Sequence, residues 1–191
     1  MSTRWAFVGA VLAILPGCAE DGVESGRFVG DVDGTDTVIG VVIEEGTGLA
    51  YVCGGEEDKE RHHHWIELSS VDGTFAGTTT SGGLELTVEM VAEGDDLSGT
   101  IEGGDESLSF TASAAAETDG PWRPEQDLDP CEAGVVVRGG STAMQGVHYC
   151  DITAEAAQVI PIELISGDLG RIEVELETDP GVQFAIVPAV P

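Results

Sequence analysis

Apolar and polar residues alternate with a period of two along much of this chain, the pattern of strands that bury one face and wet the other. Leu84, Leu86, Val88 and Met90 alternate with Glu85, Thr87 and Glu89, and Leu108, Phe110 and Ala112 alternate with Ser107, Ser109 and Thr111. Turn residues separate the segments. Asp33-Gly34, Asp72-Gly73, Gly82-Gly83 and Gly103-Gly104 tolerate positive φ and so suit hairpins. The spacing predicts strands over 27–32, 37–45, 48–53, 64–69, 73–80, 84–92, 97–102 and 107–113. Strands joined by short turns pair with their sequence neighbours, so an antiparallel meander is expected. Its strand number suffices to close a small up-and-down barrel, either filled by side chains or holding one small ligand. Val38 to Ile43 is apolar on both faces and is expected to be central.

The pattern changes at Ala114 to Pro130, where an alanine run gives way to glycine, three prolines and acids, the composition of a linker or long surface crossing. Beyond it, 135–137, 147–152, 159–165, 172–177 and 182–187 read as further strands; Ile172, Val174 and Leu176 against Glu173, Glu175 and Glu177 are the clearest. Only Thr153 to Gln158 has helical composition. The expected fold class is therefore all-β: a meander, closed into a small barrel, over 27–113, a linker over 114–130, and a smaller β unit over 131–191.

The N-terminal segment follows a different logic. Arg4 precedes an apolar run from Trp5 to Leu15, too short to cross a bilayer, which takes roughly twenty residues. The run stops at Pro16-Gly17 and meets Cys18. Leu15, Gly17 and Cys18 resemble the lipobox of bacterial lipoproteins, with Pro16 in place of the usual small residue. The resemblance implies cleavage before Cys18, a diacylglyceryl group on its sulfur, and a protein held on the cell envelope. Ala19 rather than Asp after the cysteine implies outer-membrane sorting. Each buried methylene contributes about 0.8 kcal/mol, so several acyl chains anchor where one does not. Gly17-Cys18-Ala19 also fits ordinary signal cleavage, and that alternative stays open. Residues 19–26 would form an acidic tether. The run Gly48 to Gly54, followed by a charged loop, Trp65 and Gly-punctuated hairpins, resembles a β-meander module of uncharacterised exported bacterial proteins, which implies no activity.

Charge narrows the partners. The chain carries 36 acidic and 7 basic residues, a formal net charge of −29, and Lys59 is its one lysine. Nucleic acid and anionic lipid surfaces need basic patches and are excluded as partners. Self-repulsion of this size fades as the Debye length shrinks to about 3 Å at 1 M salt, so the composition suits a saline environment. Collection of divalent cations by the acidic surface is the alternative reading.

Candidate chemistry is sparse. Cys131 and Cys150 are expected to form a disulfide, contributing on the order of 3 kcal/mol in an oxidising compartment. Cys53, in apolar surroundings, reads as a buried free thiol. His62-His63-His64 is a candidate metal site in which His62 and His64, on one face of a strand, would share the ion with a further ligand such as Cys53. Asp31-x-Asp33-Gly34-x-Asp36 only superficially resembles a calcium loop, because its glycine and terminal glutamate do not fall where an EF-hand needs them. Trp65 and Trp122 read as core or lid residues, and His148 as packing beside the disulfide. No nucleophile elbow, zinc-protease helix or phosphate-cradling loop occurs, and no cofactor is implied. The expectation is a lipid-anchored, non-enzymatic envelope protein with a structural or binding role; a small-molecule or metal-binding barrel and an envelope hydrolase are the alternatives.

Overall fold

Hairpin after hairpin carries the first eight strands round until the last meets the first. The computed structural model describes residue 23 and residues 25–81, 83–139, 143–163 and 170–191; the lipobox at Leu15 to Cys18 and the start of the tether lie outside the described residues. Strands β1 (Ser25–Val32), β2 (Val38–Glu44), β3 (Thr47–Cys53), β4 (His63–Val71), β5 (Thr74–Ser81), β6 (Leu84–Glu93), β7 (Asp96–Gly103) and β8 (Glu106–Ala114) pair in sequence order. β8 returns to β1 with Phe110 opposite Val32, closing the barrel. The β4–β5 connection shows the turn chemistry: Asp72 and Gly73 have φ of 52° and 82°, the two positive values that a tight hairpin requires.

Inward residues fill this barrel. Phe28, Ile39, Val41, Ile66, Met90, Leu97 and Phe110 belong to one buried cluster. Each such side chain contributes about 1.5–3 kcal/mol by leaving water. The outward positions of β5 and β6 are mostly polar, with Thr78 and Thr87 paired across the strands at 2.9 Å.

The second unit is a smaller closed barrel. Its strands are β9 (Gly120–Pro124), β10 (Cys131–Arg138), β11 (Ala143–Cys150), β12 (Glu155–Glu163), β13 (Ile172–Leu176) and β14 (Gln183–Pro188). Trp122, Val135, Val137, Val159, Ile172, Val174 and Ile186 pack inside it. The expected linker over 114–130 is thereby corrected: β9 lies within it and closes the barrel, pairing with both β10 and β14. Prolines remove ladder donors and hid this strand, but the fully buried Trp122 holds it in place. The helical composition of 153–158 is also overridden. Ala154 turns with a φ of 53°, and Ala156 and Ala157 then pair with Tyr149 and His148 as part of β12. Cys131 and Cys150 stand directly opposite each other on β10 and β11 and are joined by the expected disulfide.

The strand that is apolar on both faces has a different place from the one expected. A closed barrel has no central strand. Ile39, Val41 and Ile43 enter the first core, while Val38 and Val42 join clusters shared with the second barrel. β10 does the same from the other side: Val135 and Val137 point into its own barrel, and Val136 packs with Val38, Tyr51, Cys53 and Val147. The two barrels thus share a third core, a seam. At its centre the Tyr51 ring lies against Gly134, where an added Cβ would come within 2.4 Å of the ring. Nearby, a Cβ on Gly40 would meet the Pro121 nitrogen at 2.9 Å, so β2 and β9 approach backbone to backbone.

Polar groups in the seam are paired across it. The Tyr51 hydroxyl donates to the Val147 carbonyl at 3.2 Å, and the Trp65 indole donates to that of Ala133 at 2.9 Å. The Gln145 amide donates to the carbonyls of Asp36 and Cys53 at 2.9 and 2.8 Å. Arg27 donates to three carbonyls of the second unit, those of Asp119, Pro121 and Ala189. Buried carbonyls left without donors would each cost about 1–3 kcal/mol.

Gly134→Ala should therefore destabilise the fold by about 1–3 kcal/mol through overpacking against a rigid ring. In urea unfolding, most of that loss should vanish in a Tyr51→Leu background, where the ring is gone; an equal loss in both backgrounds would show that the ring is not what Gly134 accommodates.

Candidate functional site

Closing the seam leaves a cleft of about 740 Å³ between the barrels. Outward residues of β3, β4 and β5 line one side of it, including Leu49, Trp65, Glu67 and Thr78. The other side is the chain from Arg123 to Leu128, then Cys131 to Ala133, with Val187. Trp65 is half-buried and fixed twice, by its indole bond to Ala133 and by Tyr51, whose ring centroid lies 4.5 Å from its own at 33°. A ring held this way presents apolar surface at little entropic cost.

The cleft is acidic with one cation. Glu67, Glu125, Asp127 and Glu132 line it together with Arg123. Partial burial, reinforced by the charge of Asp151, raises the Glu132 carboxyl above its ordinary pKa. Glu125 is bonded to Arg171, which also holds Glu173. Lys59 pairs with Glu56, Arg61 with Glu106 and Asp58, and Arg138 with Asp31, whereas Arg123 makes no ion pair among the described residues. In a chain with so few cations, an exposed guanidinium in a cleft is open to an incoming acceptor.

The histidine run is structural in its surroundings. His62, His63 and His64 are all buried. His62 Nδ1 is hydrogen-bonded with the Thr37 hydroxyl at 2.6 Å, His63 Nδ1 donates to the Lys59 carbonyl at 3.2 Å, and His64 Nε2 donates to that of Arg61 at 3.0 Å. The His63 ring is stacked on Tyr149 of the second barrel at 3.9 Å and on His64 at 4.4 Å. Among the described residues, no third ligand atom joins His62 and His64 closely enough to share a metal ion. Cys53, directly opposite His63 in the register, instead donates its thiol to the Gln145 carbonyl at 3.3 Å. Burial pushes that thiol well above its ordinary pKa, so it is an inert packing group.

The acidic loop near residue 31 is likewise committed. Asp31 holds Arg138 at 2.7 Å, and the Asp36 carboxylate accepts the amides of Gly55 and Glu57 at 3.1 and 2.8 Å. His62 lines a smaller pocket of about 210 Å³ with Leu84, Leu86 and Ile101, beside the Arg61–Glu106 ion pair. Trp122 is core, whereas Trp65 serves the cleft; sequence reasoning passed over Arg123 and Glu132 because they lie at the edges of a segment that reads as linker and unpatterned strand. The rarity of basic residues was the signal available for Arg123. No protein-family model, curated protein or solved structure matches this chain.

The buried histidines make stability pH-dependent. Burial lowers the pKa of all three, His64 from 6.5 to about 4, with the neighbouring His63 adding to the effect. The neutral ring is favoured in the fold, so the unfolded chain takes up the proton first. Stability from this source is complete above about pH 6.5 and is lost as pH falls towards 4, on the order of 3 kcal/mol for His64. His64→Gln, which keeps a donor for the Arg61 carbonyl, should lose less stability than wild type between pH 7 and 4.5 in urea titrations at 1 M sodium chloride. Parallel pH profiles for the two proteins would contradict this.

Proposed function

We propose that this chain is a lipid-anchored cell-envelope protein with a non-enzymatic binding role, and that the cleft between its barrels receives a polyhydroxylated, sugar-like ligand. The observation that carries the reading is the cleft itself: a fixed tryptophan in one cleft with an arginine that makes no ion pair among the described residues, with carboxylates and threonine hydroxyls around them. Concave sites with an apolar platform and a few oriented polar groups are the usual form of small-ligand pockets. The apolar face of a sugar ring suits Trp65, and its hydroxyls suit Arg123, Glu67 and Thr78. Four carboxylates against one guanidinium disfavour polyanions. The interior of the first barrel is occupied by its own side chains, which favours the cleft over a ligand held inside the barrel. The lipid anchor rests on the resemblance of Leu15, Gly17 and Cys18 to a lipobox.

One observation favours a second reading, an envelope glycoside hydrolase. A carboxyl raised in pKa near other carboxylates is what a general acid paired with a base or nucleophile requires, and Glu132 lies in the cleft with Glu67 and Asp127.

Fatty-acid labelling in a bacterial host should mark the wild-type chain and leave Cys18→Ala unlabelled. A glycan array probed with purified protein, followed by tryptophan-fluorescence titration of the hits, should find a saccharide whose affinity drops at least tenfold in Arg123→Ala. No hit, or hits indifferent to Arg123→Ala, would remove the cleft from the account. Bond cleavage that is abolished in Glu132→Gln would replace binding with hydrolysis.

A further inference from the structure

We propose that Cys131, His148 and Cys150 form a binding site for a soft divalent cation, zinc by preference, which the disulfide keeps closed and reduction opens. The constellation follows from strand geometry. Cys131 begins β10 directly opposite Cys150, which ends β11, and His148 stands two residues before Cys150, on the same face of β11. One ligand atom from each of the three lies within 4.8 Å of the others, and all three residues are half-buried. The Cys150 sulfur is 3.8 Å from His148 Nε2. Zinc bonds of about 2.3 Å to sulfur and 2.0–2.1 Å to nitrogen put the edges of a tetrahedral site at roughly 3.5–3.8 Å, so this edge already has the required length.

What keeps the site closed is the sulfur–sulfur bond. Disulfide sulfurs are neutral and joined; a zinc site needs two separate thiolates. An external reductant supplies two electrons to the disulfide, leaving two thiols on this chain: a dithiol gives up two protons and becomes a disulfide, and a phosphine with one water becomes its oxide, the water supplying the two protons. Each thiol then releases its proton as its sulfur takes the metal. Both cysteines sit at strand ends, where the sulfurs can separate without breaking the ladder between Glu132–Arg138 and Ala143–Tyr149. The His148 ring is steadied by Phe184, at 6.2 Å and 40°. Three protein ligands and a half-buried setting leave the fourth position open to water. A thiolate–imidazole set selects zinc or copper(I) over calcium or magnesium. Metal and disulfide therefore exclude each other at one edge of the cleft, which Cys131 also lines.

The test is cobalt(II) titration of the full chain, reduced with a phosphine under anaerobic conditions. Reduced wild type should bind one cobalt ion with a near-ultraviolet thiolate-to-metal charge-transfer band that zinc abolishes by displacement. The oxidised protein and Cys131→Ser should lack the band, His148→Ala should bind at least tenfold more weakly, and Cys53→Ser and Cys18→Ala should leave it intact. If reduction unfolds the protein, zinc should restore its strand circular dichroism. No band and no recovery of structure, a band that survives in Cys131→Ser, or an unchanged affinity in His148→Ala would each overturn the proposal.

Discussion

The Tyr51 ring lying flat on Gly134 is the contact on which the arrangement of this molecule depends. No residue other than glycine leaves room for it. It brings β3 and β10 close enough for the seam hydrogen bonds to form, and those bonds in turn align the backbone carbonyls of 133 and 147 with Trp65 and with Tyr51 itself. The same contact supports Trp65 from behind, so the cleft inherits its rigidity from the seam rather than from its own loops. A barrel closed on itself has no edge to protect. What joins the two barrels is an apolar outer face on a few strands, an arrangement that water would otherwise penalise at about 25 cal/mol per Å².

The few cations are disposed around that frame. Arg27 spends its guanidinium on carbonyls across the seam, and Arg138 bonds Asp31 at its margin. Lys59 and Arg61 pair with acids within or near the 56–61 loop that precedes the buried histidines, and Arg171 gathers Glu125 and Glu173. Exposed pairs of this kind contribute at most about 1 kcal/mol each, so their effect is to set loop positions in a strongly acidic surface rather than to hold the fold. Arg123 lines the cleft and makes no ion pair among the described residues. The buried histidines add a second constraint, because burial of these rings favours their neutral form.

The barrel of the first domain was legible in the sequence because most of its strands bury one face, so a period of two and the Gly-containing turns sufficed to place all eight within a residue or two. The disulfide was legible from the separation of its cysteines. The seam was written there too, as apolar residues on both faces of 38–43 and in the Val135 to Val137 run, but a pattern shows that a second face is buried without showing what covers it. β9 was hidden because Pro121 and Pro124 read as breakers, and its burial comes from Trp122 and from pairing with a strand as far along the chain as Pro188, which stands opposite Trp122. The cleft was illegible for the same reason: Trp65, Arg123 and Glu132 come from separate elements, and only the docking of two closed barrels brings them together. Among the described residues no third ligand atom joins His62 and His64, and His62 Nδ1 and His64 Nε2 are spent on Thr37 and the Arg61 carbonyl, although His64 Nδ1 is buried without a partner.

If the seam is a shared core, the two barrels cannot unfold independently. Differential scanning calorimetry of the disulfide-intact protein in 1 M sodium chloride tests this directly. The account predicts one endotherm whose calorimetric and van't Hoff enthalpies agree, as for a single cooperative unit. Two resolved transitions, or a van't Hoff enthalpy near half the calorimetric value, would contradict it.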